Sequence, residues 1–358
     1  MESMVDHRDF WKGKKVLITG HTGFKGSWLS QVLIQFEAEL IGFSLEPNVD
    51  DNPLYFSLDL SSNIIESFGD IRSEELIHNV ISKYKPEIIF HLAAQPLVRE
   101  SYYNPVLTFE TNVMGTVNLL EAVRKNTCVK SCVCITTDKV YKNKEWHWGY
   151  RENDTLGGHD PYSNSKACCE LVIESYRNSF FSNNSDQLIA SVRAGNVIGG
   201  GDFSKDRLLP DIMNSIFLNK KLEIRSPKAI RPWQHVLDPL NGYLILANKL
   251  FSGESKYCDA WNFGPNPEGF AQVDEMIKLI NNIHFEDIDI DLVDADLHET
   301  STLKLDISKA KQELSWDPNW DLKNTIEKVY EWYSDYFKSP SNAKTTTINQ
   351  INNFFNIK

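Results

Sequence analysis

Short apolar runs alternate with amphipathic stretches through the first two-thirds of the chain. Residues 15–19 (KVLIT), 40–44, 64–68, 87–92 (EIIFHL), 131–136 (SCVCIT) and 188–194 are brief and largely apolar, and they read as buried strands. Residues 27–36, 73–84, 105–125 and 162–180 carry helical spacing between them. Strands alternating with helices imply a parallel sheet covered on both faces, whose right-handed crossovers bring the carboxyl ends of the strands to one ligand-binding edge. The expected fold class is therefore α/β, a doubly wound parallel sheet with a smaller mixed α/β lobe. The lobe is expected after about residue 196, where Gly199-Gly200-Gly201 interrupts the rhythm and only a helical stretch at 208–218 stands among short mixed elements. Residues 338–347 are polar and Ser/Thr-rich and read as a flexible tail, and 348–357 as an Asn-rich end that frays, with a docking helix as the alternative. No internal repeat is visible.

Composition narrows the partners. The 358 residues are 41% hydrophobic and 24% charged, as in an ordinary soluble protein, and suffice for a large core with an added lobe. A net charge of −12 argues against nucleic acid or an anionic membrane as main partner. No apolar stretch approaches the ~20 residues of a membrane span, and residues 1–14 are polar, unlike a secretory leader. The six cysteines (Cys128, Cys132, Cys134, Cys168, Cys169 and Cys258) form no CxxC pair and no Cys/His zinc spacing. Buried thiols, no metal and a cytoplasmic location are the expectation.

The chemistry begins at Gly20-His-Thr-Gly23-Phe24-Lys25-Gly26, set between a strand and a helix. Gly20 allows a tight turn, Gly23 lets the backbone approach a pyrophosphate, and Gly26 permits close helix–strand packing; the first helical N–H groups then face the anion. Further on, Tyr162 and Lys166 stand one helical turn apart on one face. An ammonium there stabilises a phenolate, so Tyr162 can take a hydroxyl proton as hydride leaves the same carbon. Spacing alone would also suit an ordinary exposed Tyr–Lys pair; its position after the Gly loop and the 131–136 strand favours catalysis. Thr137-Asp138-Lys139 follows that strand and offers a hydroxyl, an acid and a cation.

The Gly-x-x-Gly-x-x-Gly spacing resembles that of the extended short-chain dehydrogenase/reductases, a resemblance covering roughly residues 13–335. It implies a Rossmann fold that binds NAD, with Asp70 and Ile71 at the adenine, the backbone of Leu92, Ala93, Ala94 and Gln95 lining the cofactor, Asn112 supporting the sheet, and Tyr162 and Lys166 as the catalytic pair. Ser44 stands where NAD-dependent members often have an acid, Glu46 lies just beyond, and no arginine offers itself to a 2′-phosphate. NAD is the expected cofactor, tightly bound and regenerated each turnover, with NADP the alternative. The implied organisation is an NAD-binding Rossmann domain at 1–195, with 226–262 returning to it, a substrate-binding lobe at 196–225 and 263–337, and a polar tail at 338–358.

Within that family Thr137-Asp138-Lys139 resembles the triplet of nucleotide-sugar 4,6-dehydratases of the branch acting on CDP-glucose. Residues 19–28, 95–99, 193–202 and 230–236 resemble the same branch, as does the stretch holding His298-Glu299-Thr300, which is given no role. The implied reaction oxidises C4 of a hexose, eliminates water across C5 and C6, and returns the hydride to C6. Thr137 would hold the reacting hydroxyl and Asp138 would be the acid. Lys139 replaces the more common Glu, and a lysine serves as base only where its pKa is lowered. Asn196, Arg207, Arg231 and His235 would hold the diphosphate and nucleotide, with Arg225, Lys228 and Arg231 as a local cationic cluster. The implied setting is deoxysugar biosynthesis of the O-antigen or lipopolysaccharide kind, and the implied assembly a homodimer joined through a four-helix bundle of the 105–125 and 162–180 helices. A nucleotide-sugar 4-epimerase would use Tyr162 and NAD without Asp138 and Lys139; a non-catalytic cofactor-binding protein usually lacks the Tyr–Lys pair.

Overall fold

A computed structural model describes residues 7–181, 186–285, 288–293 and 302–357; His298-Glu299-Thr300 lies outside them. The strands in chain order are β1 (Lys15–Thr19), β2 (Glu39–Ser44), β3 (Ile64–Phe68), β4 (Ile88–His91), β5 (Ser131–Ile135), β6 (Leu188–Ala194), β7 (Asn196–Ile198), β8 (Leu222–Ile224), β9 (Ile230–His235), β10 (Ala260–Phe263), β11 (Phe270–Gln272) and β12 (Ile290–Leu292). A seven-stranded sheet has the order β10-β6-β5-β4-β1-β2-β3. The pairs from β3 through β1 to β6 are parallel, as doubly wound α/β topology requires. β1, β2 and β4 to β6 are buried almost end to end, which is why they read as continuous apolar runs.

The chain divides into two compact units. The first holds 1–142, 155–193 and 240–261; the second holds 143–154, 194–239 and 262–358. Only 240–261 of the expected returning segment joins the first unit. Residues 226–239 go with the second because β9 pairs with β7 and β11 in a separate three-stranded sheet. Residues 143–154 follow them, tied by a Tyr150–Leu305 bridge and by the amide of Asn262, which donates to the Tyr150 carbonyl at 2.8 Å.

Two expected elements differ. The 105–125 helix is broken: Pro105–Phe109 and Gly115–Arg124 are α-helical, and Glu110–Met114 between them is a π-turn. The expected tail is a helix, Asn342–Phe355, which buries Ala343, Thr347, Gln350, Ile351 and Phe354. It packs on the helix Leu322–Lys338, and Thr347 accepts the Trp332 indole N–H at 2.8 Å. The spacing of those five residues forms one helical face, and a docked face does not fray.

Candidate functional site

The first unit places its chemistry at the carboxyl edge of the large sheet. Thr19 is in register with Phe43 on one side and His91 on the other, so the segments leaving β1, β2 and β4 emerge together. Gly20 sits at φ +75, where side chains are strained, and a Cβ there would lie 2.8 Å from the Ala93 nitrogen. A Cβ on Gly26 would lie 2.1 Å from the Gly20 carbonyl oxygen. Gly23 differs. Its φ of −74 suits any residue, and a Cβ would meet only the Gly20 oxygen at 3.5 Å. Among the described residues nothing calls for glycine at 23, which leaves room there for the close approach of an outside group.

Gly23 caps the helix Phe24–Gln35 with no side-chain cap and no acid in the first turn. The first-turn N–H groups are thus presented to an anion, with the helix dipole behind them. Gly20, Gly23, Phe24, Lys25 and Gly26 fit the diphosphate of a dinucleotide such as NAD. His21 anchors this loop from below: its Nε2 lies 3.0 Å from Glu66 Oε1, which also accepts from the Tyr55 hydroxyl at 2.5 Å. Its ring covers Gly42, where a Cβ would come within 2.6 Å. Ser44 is buried and accepts from the Thr22 hydroxyl at 3.2 Å, while Glu46 is exposed. The Asp70 carboxylate accepts from Arg72 at 2.7 and 3.0 Å, which holds it below the usual carboxylate range. Ile71 is buried, and its Cγ2 would lie 2.8 Å from a Cβ on Gly115.

A chain of hydrogen bonds fixes the Leu92–Gln95 segment. The Ala93 N–H donates to Thr19 Oγ1 at 3.2 Å, and Thr19 donates to His91 Nδ1 at 2.8 Å. That leaves the His91 proton on Nε2, facing Thr116 Oγ1 at 3.3 Å, and Thr116 donates to the Asn112 carbonyl at 2.7 Å. Burial, aided by the Lys166 charge, pushes His91 down to about 3, so it stays neutral. Asn112, inside the π-turn, accepts from the Gln95 N–H at 2.8 Å and donates to the Gln95 carbonyl and to Ser165 Oγ. The π-turn aims this one amide at both the β4 loop and the helix Pro161–Phe180, a use typical of π-bulges at functional sites.

Asp160 caps that helix by accepting from the Ser163 N–H at 2.9 Å, and Pro161 occupies its first turn. Tyr162 and Lys166 follow, both largely buried at 8% and 7% exposure. Lys166 Nζ donates to the Ile135 carbonyl at 3.2 Å. Burial lowers its pKa, against the opposing pull of Cys169, Cys134 and Glu170. Two residues past Ile135, Thr137 caps the turn Asp138–Val140: it accepts from the Lys139 N–H at 3.3 Å and donates to Asp138 at 3.1 Å. Thr137 and Asp138 are buried and Lys139 is half-buried. The turn packs against the Pro161–Phe180 helix, which Asn112 ties to the Leu92–Gln95 segment beside the Gly20 loop.

Beneath them lies a group the sequence reading missed. Glu170, one turn beyond Lys166, pairs with Arg193 at 2.8 Å, both nearly inaccessible to water. It also accepts from Thr136 Oγ1 and, at 2.7 Å, from Ser191. Burial alone would raise the Glu170 pKa; Arg193 and the hydroxyls overcome it and keep the carboxylate ionised. The available signal was a third chemically active residue at four-residue spacing after Tyr162 and Lys166.

In the second unit Asn196 opens β7 opposite Trp233, and Arg231 stands in β9 opposite Ala271, both half-buried. Trp233 packs, its indole donating to the Ala271 carbonyl at 3.1 Å. Arg207 precedes the helix Leu208–Leu218 and pairs with Asp202 at 2.9 Å. Arg225 and Lys228 are each met by an acid, Asp206 at 3.3 Å and Asp274 at 2.6 Å, so the expected cationic cluster is largely neutralised. His235 departs from the expected contact with ligand. It is fully buried, its ring edge-on to Trp320 at 4.6 Å and its Nδ1 accepting from the Leu237 N–H, and burial lowers it to about 3. Its surroundings suit packing, not diphosphate binding. A cavity of about 400 Å³ opens between Phe203, Lys205, Asp211, Asn214, Glu223 and Arg225. Burial, with Asp206 adding to it, raises Asp211 to about 6.

Comparison with known proteins shows what the whole chain is similar to. A CDP-glucose 4,6-dehydratase of Salmonella typhimurium is 48% identical over 343 residues, covering 94% of each chain. A CDP-paratose 2-epimerase of Salmonella typhi is 29% identical, covering 89% of this chain and 99% of its own. Among solved structures, the dTDP-glucose 4,6-dehydratase of Bacillus anthracis in complex with NAD superposes with a TM-score of 0.77 at 23% identity, covering 90% of this chain and 97% of its own. The model of the GDP-mannose 4,6 dehydratase family matches residues 17–329, from the middle of β1 into the Leu322–Lys338 helix. With that span covering nearly the whole described chain, the protein belongs to the GDP-mannose 4,6-dehydratase family.

Proposed function

We propose that this chain converts CDP-D-glucose to CDP-4-keto-6-deoxy-D-glucose and water. The observation that carries the reading is the Thr137-Asp138-Lys139 turn, its Thr137 and Asp138 buried, packed on the helix that bears Tyr162 and Lys166. A hydride-transfer pair alone suits an epimerase; an acid beside it suits elimination. The extensive similarity to a CDP-glucose 4,6-dehydratase supports the choice of substrate.

NAD would be held by the Gly20–Gly26 loop, Asp70, Ile71 and the Leu92–Gln95 segment, and when bound it supplies the hydride acceptor at C4 and the donor at C6. The residues do the rest. Lys166, buried and tied to the Ile135 carbonyl, places a positive charge near Tyr162 and favours its phenolate. Tyr162 accepts the C4 hydroxyl proton, with Thr137 orienting that hydroxyl. The ketone acidifies the C5 proton. A base at this turn, where Lys139 stands, takes the C5 proton, Asp138 gives a proton to the departing C6 hydroxyl so that water leaves, and C5 regains a solvent proton as C6 is reduced. Thr137 and Asp138 are themselves withdrawn from bulk water. In the second unit, Asn196, Arg207 and Arg231 are assigned to the diphosphate and nucleotide.

Tyr103, Val106, Phe109 and Leu171 leave large apolar surfaces exposed at 71, 69, 37 and 55% on the helices Val98–Tyr103, Pro105–Phe109 and Pro161–Phe180. We infer that a second copy covers this face in a homodimer through a four-helix bundle. Among the described residues no helix is long and apolar enough to cross a membrane. We propose, together with the substrate, a cytoplasmic role in deoxysugar assembly of the O-antigen or lipopolysaccharide kind. The test is product analysis with CDP-, UDP- and dTDP-glucose side by side. A dehydrated product from CDP-glucose supports the reading; conversion of the other two with CDP-glucose untouched would overturn it.

A further inference from the structure

We propose that the buried Glu170–Arg193 pair is a positioning clamp that fixes the elimination turn relative to the hydride-transfer helix. Both ends of the turn are fastened to this one pair. On the upstream side Thr136 donates its hydroxyl to Glu170. On the downstream side the Tyr141 hydroxyl accepts from Arg193 Nη1 at 2.8 Å, and the guanidinium lies 5.0 Å from the centre of the Tyr141 ring. Residues 137–140, with Thr137, Asp138 and Lys139, are strung between these two anchors.

The pair belongs to the helix that carries the other half of the chemistry. Tyr162, Lys166 and Glu170 recur every four residues on the Pro161–Phe180 helix and share one broad face. Ser191 and Arg193, alternate residues of β6, project to the same side of the sheet and grip the same carboxylate oxygen, at 2.7 and 2.8 Å. Helix, strand and turn are thereby locked into one geometry. Stability does not account for the arrangement, because an apolar pair of similar volume often serves stability as well or better than a buried ion pair. A directional, multiply bonded pair sets positions that apolar packing leaves loose. Oxidation at C4 and elimination across C5 and C6 act on adjacent atoms of one sugar, so their catalytic groups need a fixed separation, and an error near 1 Å costs on the order of a hundredfold in rate.

The inference rests on the dehydratase reading, and its test separates the two. Thr136→Val and Tyr141→Phe each cut one anchor and leave Glu170, Arg193 and every reacting group in place. The expected result is elimination slowed about ten- to a hundredfold, while C4 oxidation, read as the transient rise in nicotinamide absorbance, changes by less than about threefold. Amide hydrogen exchange over 137–141 rises at the same time, with the melting temperature within about 2 °C of the parent. Equal slowing of both half-reactions, or unchanged exchange at 137–141, would overturn the clamp. Failure of the unsubstituted enzyme on CDP-glucose would instead remove the dehydratase reading, and exchange over 137–141 in the two variants then decides the clamp by itself.

Discussion

Alanine substitutions at Gly23 and Gly26 separate a cofactor cradle from a mere turn. At Gly26 the new methyl would sit 2.1 Å from the Gly20 oxygen, about 1.3 Å short of the 3.4 Å at which ordinary contact begins. The Phe24–Gln35 helix must then move off the loop, and overpacking of this kind costs about 1–3 kcal/mol, a fall of several degrees in melting temperature. At Gly23 the same methyl meets one atom at ordinary distance, and φ −74, ψ 169 suits alanine. The free fold therefore loses nothing and gains about 0.4–1 kcal/mol from the stiffer unfolded chain. Yet the methyl stands where a diphosphate must approach the helix N-terminus, so affinity for NAD should fall about ten- to a hundredfold, or about 1.4–2.8 kcal/mol. Calorimetric titration with NAD and thermal melts of both variants provide the assay. Gly23→Ala should melt at or above the parent temperature and bind NAD poorly. Unchanged NAD affinity in Gly23→Ala would refute the cradle, since no contact among the described residues explains that glycine.

Other consequences test separate parts of the account. Asp138→Asn should keep NAD binding and lose dehydration by at least about a hundredfold, consistent with loss of a general acid; unchanged turnover would remove Asp138 from its role. Burial raises Asp238 to about 7, with the N–H groups of Asn319 and Trp320 opposing. A carboxyl raised in the folded state favours folding fully below its unfolded pKa of about 4, and that contribution is lost as pH rises through 7. Asp238→Asn should thus melt higher than the parent at pH 8 and no higher at pH 4, and an equal offset at both pH values would contradict the assignment. Ile351→Ala should cost about 2–5 kcal/mol in denaturant unfolding, because Ile351 is wholly buried on the C-terminal helix; a frayed end would lose almost nothing. Leu171→Asp should yield monomers in light scattering, and a persistent dimer would place the interface elsewhere.

Local signals carried the sequence reading far. The glycine loop, the Tyr162–Lys166 pair and the Thr137 triplet each lie within a few residues, and their order along the chain, together with the family resemblance, marks them out. The apolar strands of the large sheet were equally legible because burial on both faces leaves no polar alternation to interpret. Long-range pairings were not. Glu170 looks like a helix surface charge until Arg193 of β6 is brought to it, and His91 looks like a lone core histidine until Thr19 and Thr116 flank it. The π-turn at 110–114 has no sequence mark beyond a helical pattern that continues through it. Polar composition hid the C-terminal helix, where buried Thr347 accepts from the Trp332 indole and the buried Gln350 amide donates to the Lys328 carbonyl. At His235 the resemblance implied a ligand contact where the structure shows a buried ring edge-on to Trp320.

Turnover of CDP-glucose in heavy water, followed by mass spectrometry of the product, tests the central claim most directly. Proton removal at C5 and loss of the C6 hydroxyl predict a product lighter by one water and carrying one solvent deuterium at C5. A product of unchanged composition, differing from the substrate only in configuration, would contradict elimination and make Tyr162 and Lys166 the machinery of an epimerase.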